Sequence, residues 1–357
     1  MSKNAVTSPD PRRYRVVQWA TGNVGSRALR RAIEHPHLDL VGVYVYGEAK
    51  IGRDAGELAG VGPIGVVATH RIDDVIALRP DCVVYMPQYI NLDEVCRLLE
   101  SGINIVTTRT EFLYPDAMDP AVRERVESAC ARGNTSIHST GCSPGFATEA
   151  LPLVLSSLQR RIDFLSINEF ADNSSRNSPE MLFQIMGFGQ RPGASMQGRL
   201  DHLRNAFGPS LQLVAKTVGL PLDRVEVRGG VGLARNDVVI AAGLVPAGTI
   251  AAMRTEVSGI RAGKPLMSFT ATWFVSSDVD TDDGTTWEFR SSGWRVVLTG
   301  DVPLDVSITY PVAPEDYAEM TPGLTAHIPL NAVRYVCEAA PGIRTSVDLP
   351  PIIPQLS

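Results

Sequence analysis

From Arg15 to about Ser143 the chain alternates short, nearly continuous apolar runs with segments of helical period. Runs at residues 16–19, 40–46, 65–68, 82–86, 103–107 and 135–138 read as strands. The stretches 25–34, 72–78, 92–101 and 121–132 read as the helices between them. Strands that are apolar on both faces belong in a parallel sheet covered by helices on either side. Right-handed crossovers wind such a chain into a doubly wound, Rossmann-type sheet, whose ligands lie beyond the carboxyl ends of the strands. Functional residues are therefore expected just after Trp19, Tyr46, Tyr85 and Val106, and over 139–146.

The pattern changes after Pro144. A helix over 145–158 leads into a strand at 162–170, a polar loop, and helical stretches to about Val218. Beyond Pro221 the chain is β-rich, with strands expected at 225–231, 250–258, 266–276, 287–290, 295–299 and 304–310. Turns such as Arg261-Ala-Gly-Lys-Pro265 and Asp282-Asp-Gly284 separate them, as antiparallel hairpins require. A last helix at 326–340 stops at Pro341-Gly342 and is expected to return to the first domain. The organisation that follows is a flexible tail over 1–13, a dinucleotide-binding domain over 14–145, an α+β substrate and dimerisation domain over 146–320 built on a mostly antiparallel sheet, and a returning helix and tail over 321–357. A long antiparallel sheet with one face left available predicts a homodimer through the second domain.

Composition narrows the partners. A net charge of −6 spread over 357 residues gives no footprint for nucleic acid or an anionic membrane. No stretch approaches the ~18–20 consecutive apolar residues of a membrane span, and the first thirteen residues lack the apolar centre of a signal peptide. The five cysteines are scattered, with no CxxC, and the six histidines lack ligand spacing, so a cytoplasmic protein without a metal is expected.

The strongest motif is Tyr14-Arg-Val-Val-Gln-Trp-Ala-Thr-Gly-Asn-Val-Gly25, a strand running into Ala20-x-Gly22-x-x-Gly25 with a helix at once behind it. That is the setting in which a dinucleotide fingerprint is meaningful. Ala20, Thr21, Gly22, Asn23, Val24 and Gly25 are the expected phosphate-end contacts, although Ala20 stands where the usual pattern has its first glycine. NAD-binding units carry an acid at the end of the second strand. Here Tyr46 holds that place, and Lys50 and Arg53 follow within reach of a ribose 2′-phosphate, while Glu48 argues the other way. NADP is favoured, with NAD also accepted. Pro87, Thr108 and Gly141, at later strand ends, complete the expected cofactor contacts.

Three constellations carry candidate chemistry. Glu111 lies in the loop after the fifth strand, among Phe112, Leu113 and Tyr114. An apolar setting favours its protonated form and a cationic substrate its charged form, which suits binding an ammonium or iminium and removing a proton. In Ser139-Thr-Gly-Cys-Ser-Pro-Gly-Phe146, Phe146 offers an apolar wall, and Cys142 has no basic partner in the sequence and reads as a structural thiol. Asn168, Phe170 and Asn173 are candidate substrate contacts, the first two sharing one strand face by alternation.

These residues, with Gly52-Arg-Asp-Ala-Gly-Glu-Leu-Ala-Gly60, Thr107-Thr-Arg-Thr-Glu111 and the ending Asn331…Ala340-Pro-Gly…Asp348-Leu-Pro, resemble the NAD(P)H-dependent native amine dehydrogenases. That family has a dihydrodipicolinate reductase-like N-terminal domain and a 2,4-diaminopentanoate dehydrogenase-like C-terminal domain. The resemblance implies reductive amination of a ketone or aldehyde with ammonia, or the reverse, with Glu111 as the catalytic carboxylate. Ser143 stands where the family commonly has asparagine before Pro-Gly-Phe. The paired histidines and lysine of dihydrodipicolinate reductase itself have no counterpart after Ile162. Reduction of a carbonyl or cyclic imine without free ammonia, or a non-catalytic nucleotide-binding sensor, remain as alternatives.

Overall fold

The computed structural model describes residues 12–193 and 196–356; the tail expected at 1–13 falls, up to residue 11, outside them. The chain divides into two compact units, one of residues 1–141 and 322–357 and the other of 142–321.

The first unit alternates β1 (Tyr14–Trp19), α1 (Asn23–Glu34), β2 (Leu38–Tyr44), α2 (Ala55–Ala59), β3 (Ala68–Thr69), α3 (Ile72–Ala77), β4 (Cys82–Tyr85), α4 (Leu92–Glu100), β5 (Asn104–Thr107), α5 (Pro120–Gly133) and β6 (Ser136–Ser139). The second begins with α6 (Leu151–Ser156), β7 (Ile162–Asp172) and α7 (Met196–Thr217). It continues through β8 (Arg224–Ala234), β9 (Val238–Ile240), β10 (Gly243–Val245), β11 (Ile250–Arg261), β12 (Lys264–Phe274), β13 (Val279–Thr281), β14 (Gly293–Gly300) and β15 (Leu304–Thr309). The helix α8 (Pro314–Glu338) and the strand β16 (Gly342–Arg344) follow.

The first sheet has the order β16-β6-β5-β4-β1-β2-β3, and every pair in it is parallel. Its order reverses between β1 and β4, the crevice in which doubly wound sheets bind ligands. The side chains alternate between two buried clusters, as strands covered on both faces must. Val16, Val84 and Val106 pack with Leu29 of α1 and with Leu330 and Val333 of α8. Val17, Val83 and Ile105 pack with Leu98 and Leu99 of α4 and Val126 of α5.

The second sheet, β13-β8-β11-β12-β7-β14-β15, is antiparallel except for the β12–β7 pair. The helix α7 lays Leu203, Phe207, Leu211 and Val214 over Leu165, Ile167, Phe269 and Val296 on one face. Two seven-stranded sheets, one parallel with helices on both faces and one mostly antiparallel, make the expected α/β fold class, and β9 and β10 pair separately as an antiparallel hairpin.

Several boundaries differ from expectation. The strand expected at 40–46 ends at Tyr44, which leaves Tyr46 in the loop above the sheet. That expected at 65–68 is only Ala68–Thr69, a short edge pairing with β2. Residues 287–290 are not a strand: Trp287 is buried as a plug beside Val231 and Val279, so its burial imitated a strand position. The last helix begins twelve residues earlier than its pattern suggested, at Pro314, and carries Pro322 and Pro329 within it. The strand β16 was not anticipated, because three residues cannot establish a period; it forms by pairing with β6.

Candidate active site

At the end of β1 the backbone of Ala20 turns to φ +70°, the left-handed region that the usual first glycine adopts freely. Alanine carries a cost of ~1–2 kcal/mol there. Two bonds of 2.9 Å hold the turn: Ala20 N–H donates to Tyr44 O, and the buried Gln18 Nε2 donates to Ala20 O. Gly25 packs α1 onto this turn so closely that an added Cβ would lie 2.3 Å from Ala20 O. Gly22 caps α1 with no side-chain bond to the helix, and an added Cβ there would meet nothing within 4 Å. The first turn of α1 therefore presents backbone N–H groups to an open surface with no acidic side chain on it, which suits a pyrophosphate. Thr21 is tied to the β2 loop, since Lys50 Nζ donates to its carbonyl at 2.9 Å and its Oγ1 at 3.0 Å. Val24 instead packs into the core, so only its backbone faces the loop, and Asn23 Oδ1 accepts from Arg27 at 2.8 Å.

In register across the sheet, Tyr44, Trp19, Tyr85, Thr107 and Ser139 form one row at the carboxyl ends of their strands. Trp19 stacks on Tyr44 with ring centroids 3.7 Å apart. Tyr46 stands above them, half exposed, with its hydroxyl accepting from Trp19 Nε1 and donating to Glu94, each at 3.0 Å. Glu94 also accepts from Tyr85 at 3.2 Å. Burial raises the Tyr46 phenol to about 12, with Glu94 adding to it, so it remains a neutral donor. Glu94 escaped the sequence reading because α4 brings it under the β2 loop from 48 positions away. Arg53 is exposed beside Lys50, and Asp54 next to it accepts four backbone N–H bonds, from Gly56, Glu57, Ile64 and Gly65. Those bonds hold its carboxyl below the usual range and fix the glycine-rich segment that follows.

The loop after β5 is braced from both sides. Thr107 Oγ1 donates to Tyr85 O and Ser139 Oγ to Arg109 O, each at 2.6 Å. Phe112 and Leu113 turn into the core, anchoring the short turn that carries Glu111. The surroundings of Glu111 thus differ from the apolar setting expected. Its carboxylate is about one-third exposed and is gripped by both Nε (3.2 Å) and Nη2 (2.5 Å) of Arg109, whose Nη1 donates to Gln88 O at 2.7 Å. The apolar neighbours are spent on anchoring, and the charge faces a guanidinium. Pro87 and Gly141 are buried at the ends of β4 and β6, and Thr108 is half-buried beside Arg109.

In the second unit the chain kinks at Ser143-Pro144-Gly145, and Gly145 adopts φ +125°. The Gly145 N–H donates to Thr148 Oγ1 at 3.0 Å, and Ser210 Oγ donates to the buried carboxylate of Glu149 at 2.6 Å. This network holds Phe146 outward, 38 % exposed, with its ring edge-on to Trp294. Cys142 is buried. Asn168 and Phe170 do share a face, but it is not the one carrying Phe146 and Trp294. Asn168 Nδ2 donates to Ser166 Oγ at 2.7 Å, Phe170 is 4 % exposed, and the intervening Glu169 points to the opposite side, where Trp273 and Trp294 donate to it. Asn173 is buried and bonds Ala171 O. Glu169, Trp273, Trp294 and Tyr310 come together through sheet register, and the sequence marks this grouping only by a glutamate at an apolar position of the strand's alternation.

Among the described residues no group of three or more His, Cys, Asp or Glu is placed to hold a metal ion, and no helix is long and apolar enough to cross a membrane.

A Rossmann sheet with a glycine turn at its switch point, joined to a second unit on a mostly antiparallel sheet, is an architecture shared by dinucleotide-binding oxidoreductases. Comparison with known proteins gives the particular family. Residues 16–131 match the family model for dihydrodipicolinate reductase, N-terminus. The chain is 30 % identical to an amine dehydrogenase of Streptomyces virginiae over 343 residues, covering 94 % of this chain and 95 % of that one. It is 24 % identical to a 2,4-diaminopentanoate dehydrogenase of Acetoanaerobium sticklandii over 135 residues, 36 % of this chain and 37 % of that one. The fold is that of the amine dehydrogenase from Mycobacterium smegmatis, with a TM-score of 0.76 and 18 % identity over 96 % of this chain and 98 % of that one. The chain belongs to the amine dehydrogenase family, and it is a dehydrogenase.

Proposed function

We propose that this protein interconverts an amine with a ketone or aldehyde plus ammonia, using NADP(H) with NAD(H) also accepted, and that Glu111 handles the protons. The observation that carries this reading is the placement of a partly exposed carboxylate one turn beyond β5, on a loop pinned to β4 and β6 at the carboxyl edge of the sheet.

The Ala20–Gly25 turn and the start of α1 would hold the pyrophosphate, Tyr46 would flank the adenosine, and Lys50 and Arg53 would neutralise a 2′-phosphate. The nicotinamide, when bound, supplies or accepts the hydride. Glu111 takes a proton from ammonium, freeing ammonia to add to the carbonyl, and returns it to the hydroxyl that leaves as water. Its charge then stabilises the iminium electrostatically. Arg109 acts through Glu111: its bidentate grip orients the carboxylate and must loosen on one oxygen to let a nitrogen in. The sheet face turned away from α7, with Asn168, Thr270, Glu256 and Arg295, supports pairing of two copies through the second unit.

Replacement Glu111→Gln tests the assignment. Reductive amination should fall by about 10²–10⁴-fold, the worth of a positioned general acid–base, while NADPH affinity stays within a factor of about three. Near wild-type turnover in the variant would remove Glu111 from the chemistry. Product formed from ketone and NADPH without ammonia would refute the amine dehydrogenase reading.

A further inference from the structure

We propose that the carboxylate of Glu169, set in an aromatic cluster on the α7 face of the second sheet, binds an alkylammonium group.

Register brings the site together. Glu169 on β7 lies opposite Trp294 of β14 and Ala271 of β12, and Trp273 lies two residues further along β12 on the same face. Each indole N–H donates to a different carboxylate oxygen, both at 2.9 Å. Indoles are neutral, so these bonds orient the charge without cancelling it. Among the described residues no Lys, Arg or His forms an ion pair with Glu169, although the side chain is half-buried. A cation in this cluster, the half-buried Arg176, acts on Tyr317 and forms no ion pair with Glu169. A half-buried carboxylate with no ion-pair partner is costly, and a cation supplied by a ligand offsets that cost.

The walls have the chemistry of the same guest. The Trp294 ring meets Phe146 edge-on at 6.4 Å and Tyr310 at 5.8 Å, with Tyr317 6.0 Å beyond Tyr310. Aromatic faces attract cations through their quadrupole, and an aromatic enclosure with one carboxylate is the usual arrangement for organic ammonium groups. Phe146 is open to solvent at the rim, which gives an entry. A purely structural clamp has no need of the charge. The ladders β12–β7 and β7–β14 are already continuous through this point, and a neutral amide could accept an indole bond as well.

Calorimetric titration of the cofactor-free protein with n-butylammonium, 1,4-diaminobutane and 1-butanol tests the binding. The ammonium ligands should bind and the alcohol should not. Glu169→Gln should weaken ammonium binding at least tenfold, and Tyr310→Leu, which keeps the carboxylate and removes one wall, at least threefold. Thermal melts identify a variant that has not folded, and Tyr310→Leu then carries the test alone. Absence of ammonium binding to the wild type, equal binding of butanol, or unchanged affinity in folded variants would overturn the proposal. Wild-type protein that binds ammonium but oxidises no amine would refute the amine dehydrogenase reading and leave the ammonium site standing.

Discussion

The two glycines of the fingerprint turn should fail in different ways when given one methyl group. At Gly25 the new Cβ would lie 2.3 Å from Ala20 O, about 1 Å inside the 3.4 Å of an ordinary contact, and the obstacle is backbone. Either α1 moves off β1 by that distance or the Ala20 turn opens. Overpacking of this kind costs ~1–3 kcal/mol, and at ~2–4 °C per kcal/mol for a unit of this size the melting temperature should fall by roughly 2–12 °C. At Gly22 the φ of −74° is open to any residue, and the added Cβ meets nothing within 4 Å. Gly22→Ala should therefore cost the fold no more than about 1 kcal/mol, the difference between glycine and alanine as a helix cap. The methyl would nevertheless project from the surface that a pyrophosphate must approach. A steric cost of ~1–3 kcal/mol on the ligand is a rise of about 5- to 150-fold in Kd. Fluorescence titration with NADPH beside a thermal melt separates the two: Gly22→Ala should lose affinity and keep its melting temperature, and Gly25→Ala should lose both. Wild-type affinity in Gly22→Ala, or a melting temperature as low as that of Gly25→Ala, would refute the phosphate-end assignment.

Other outcomes follow from the same structure. His138 is buried on β6, where its Nδ1–H donates to Arg344 O and burial depresses its pKa to about 4 from 6.5. The unfolded chain therefore binds a proton that the folded one refuses between those values, so stability is full above about pH 6.5 and is lost as pH falls toward 4, by ~3 kcal/mol for His138 alone. Melts across pH 4–7 should be visibly flatter in His138→Gln, and an identical pH dependence in both proteins would exclude His138 as the source. Ser210→Ala removes the buried donor to Glu149 and should cost ~1–3 kcal/mol in urea unfolding; a change below 0.5 kcal/mol, as ~ordinary surface substitutions give, would show that the network is not needed. Lys50→Ala should raise the Kd of NADPH several-fold more than that of NADH, and equal losses would mean that Lys50 serves only to tie down Thr21.

What could be read from the chain was chemistry carried by neighbours in sequence. The glycine turn is legible because its strand, turn and helix are contiguous and each requirement is met within a dozen residues. The alternation of apolar strands with helices likewise dictates a parallel sheet, since continuous apolar strands can be buried in no other common way. The position of Glu111 in the loop after β5 was visible for the same reason, yet its partner was not. Arg109 stands two positions away, but whether the pair forms depends on a loop held by Tyr85 and Ser139 from other strands. The aromatic site lay further still from any local pattern. Glu169 meets Trp273 across 104 positions and Trp294 across 125, and sheet register alone makes them neighbours. Alternation predicted correctly that Asn168 and Phe170 share a face. Only the packing of α7 decided that Glu169, with Trp273 and Trp294, lies on the other one, because a strand's period is symmetric between its two sides and packing breaks the symmetry.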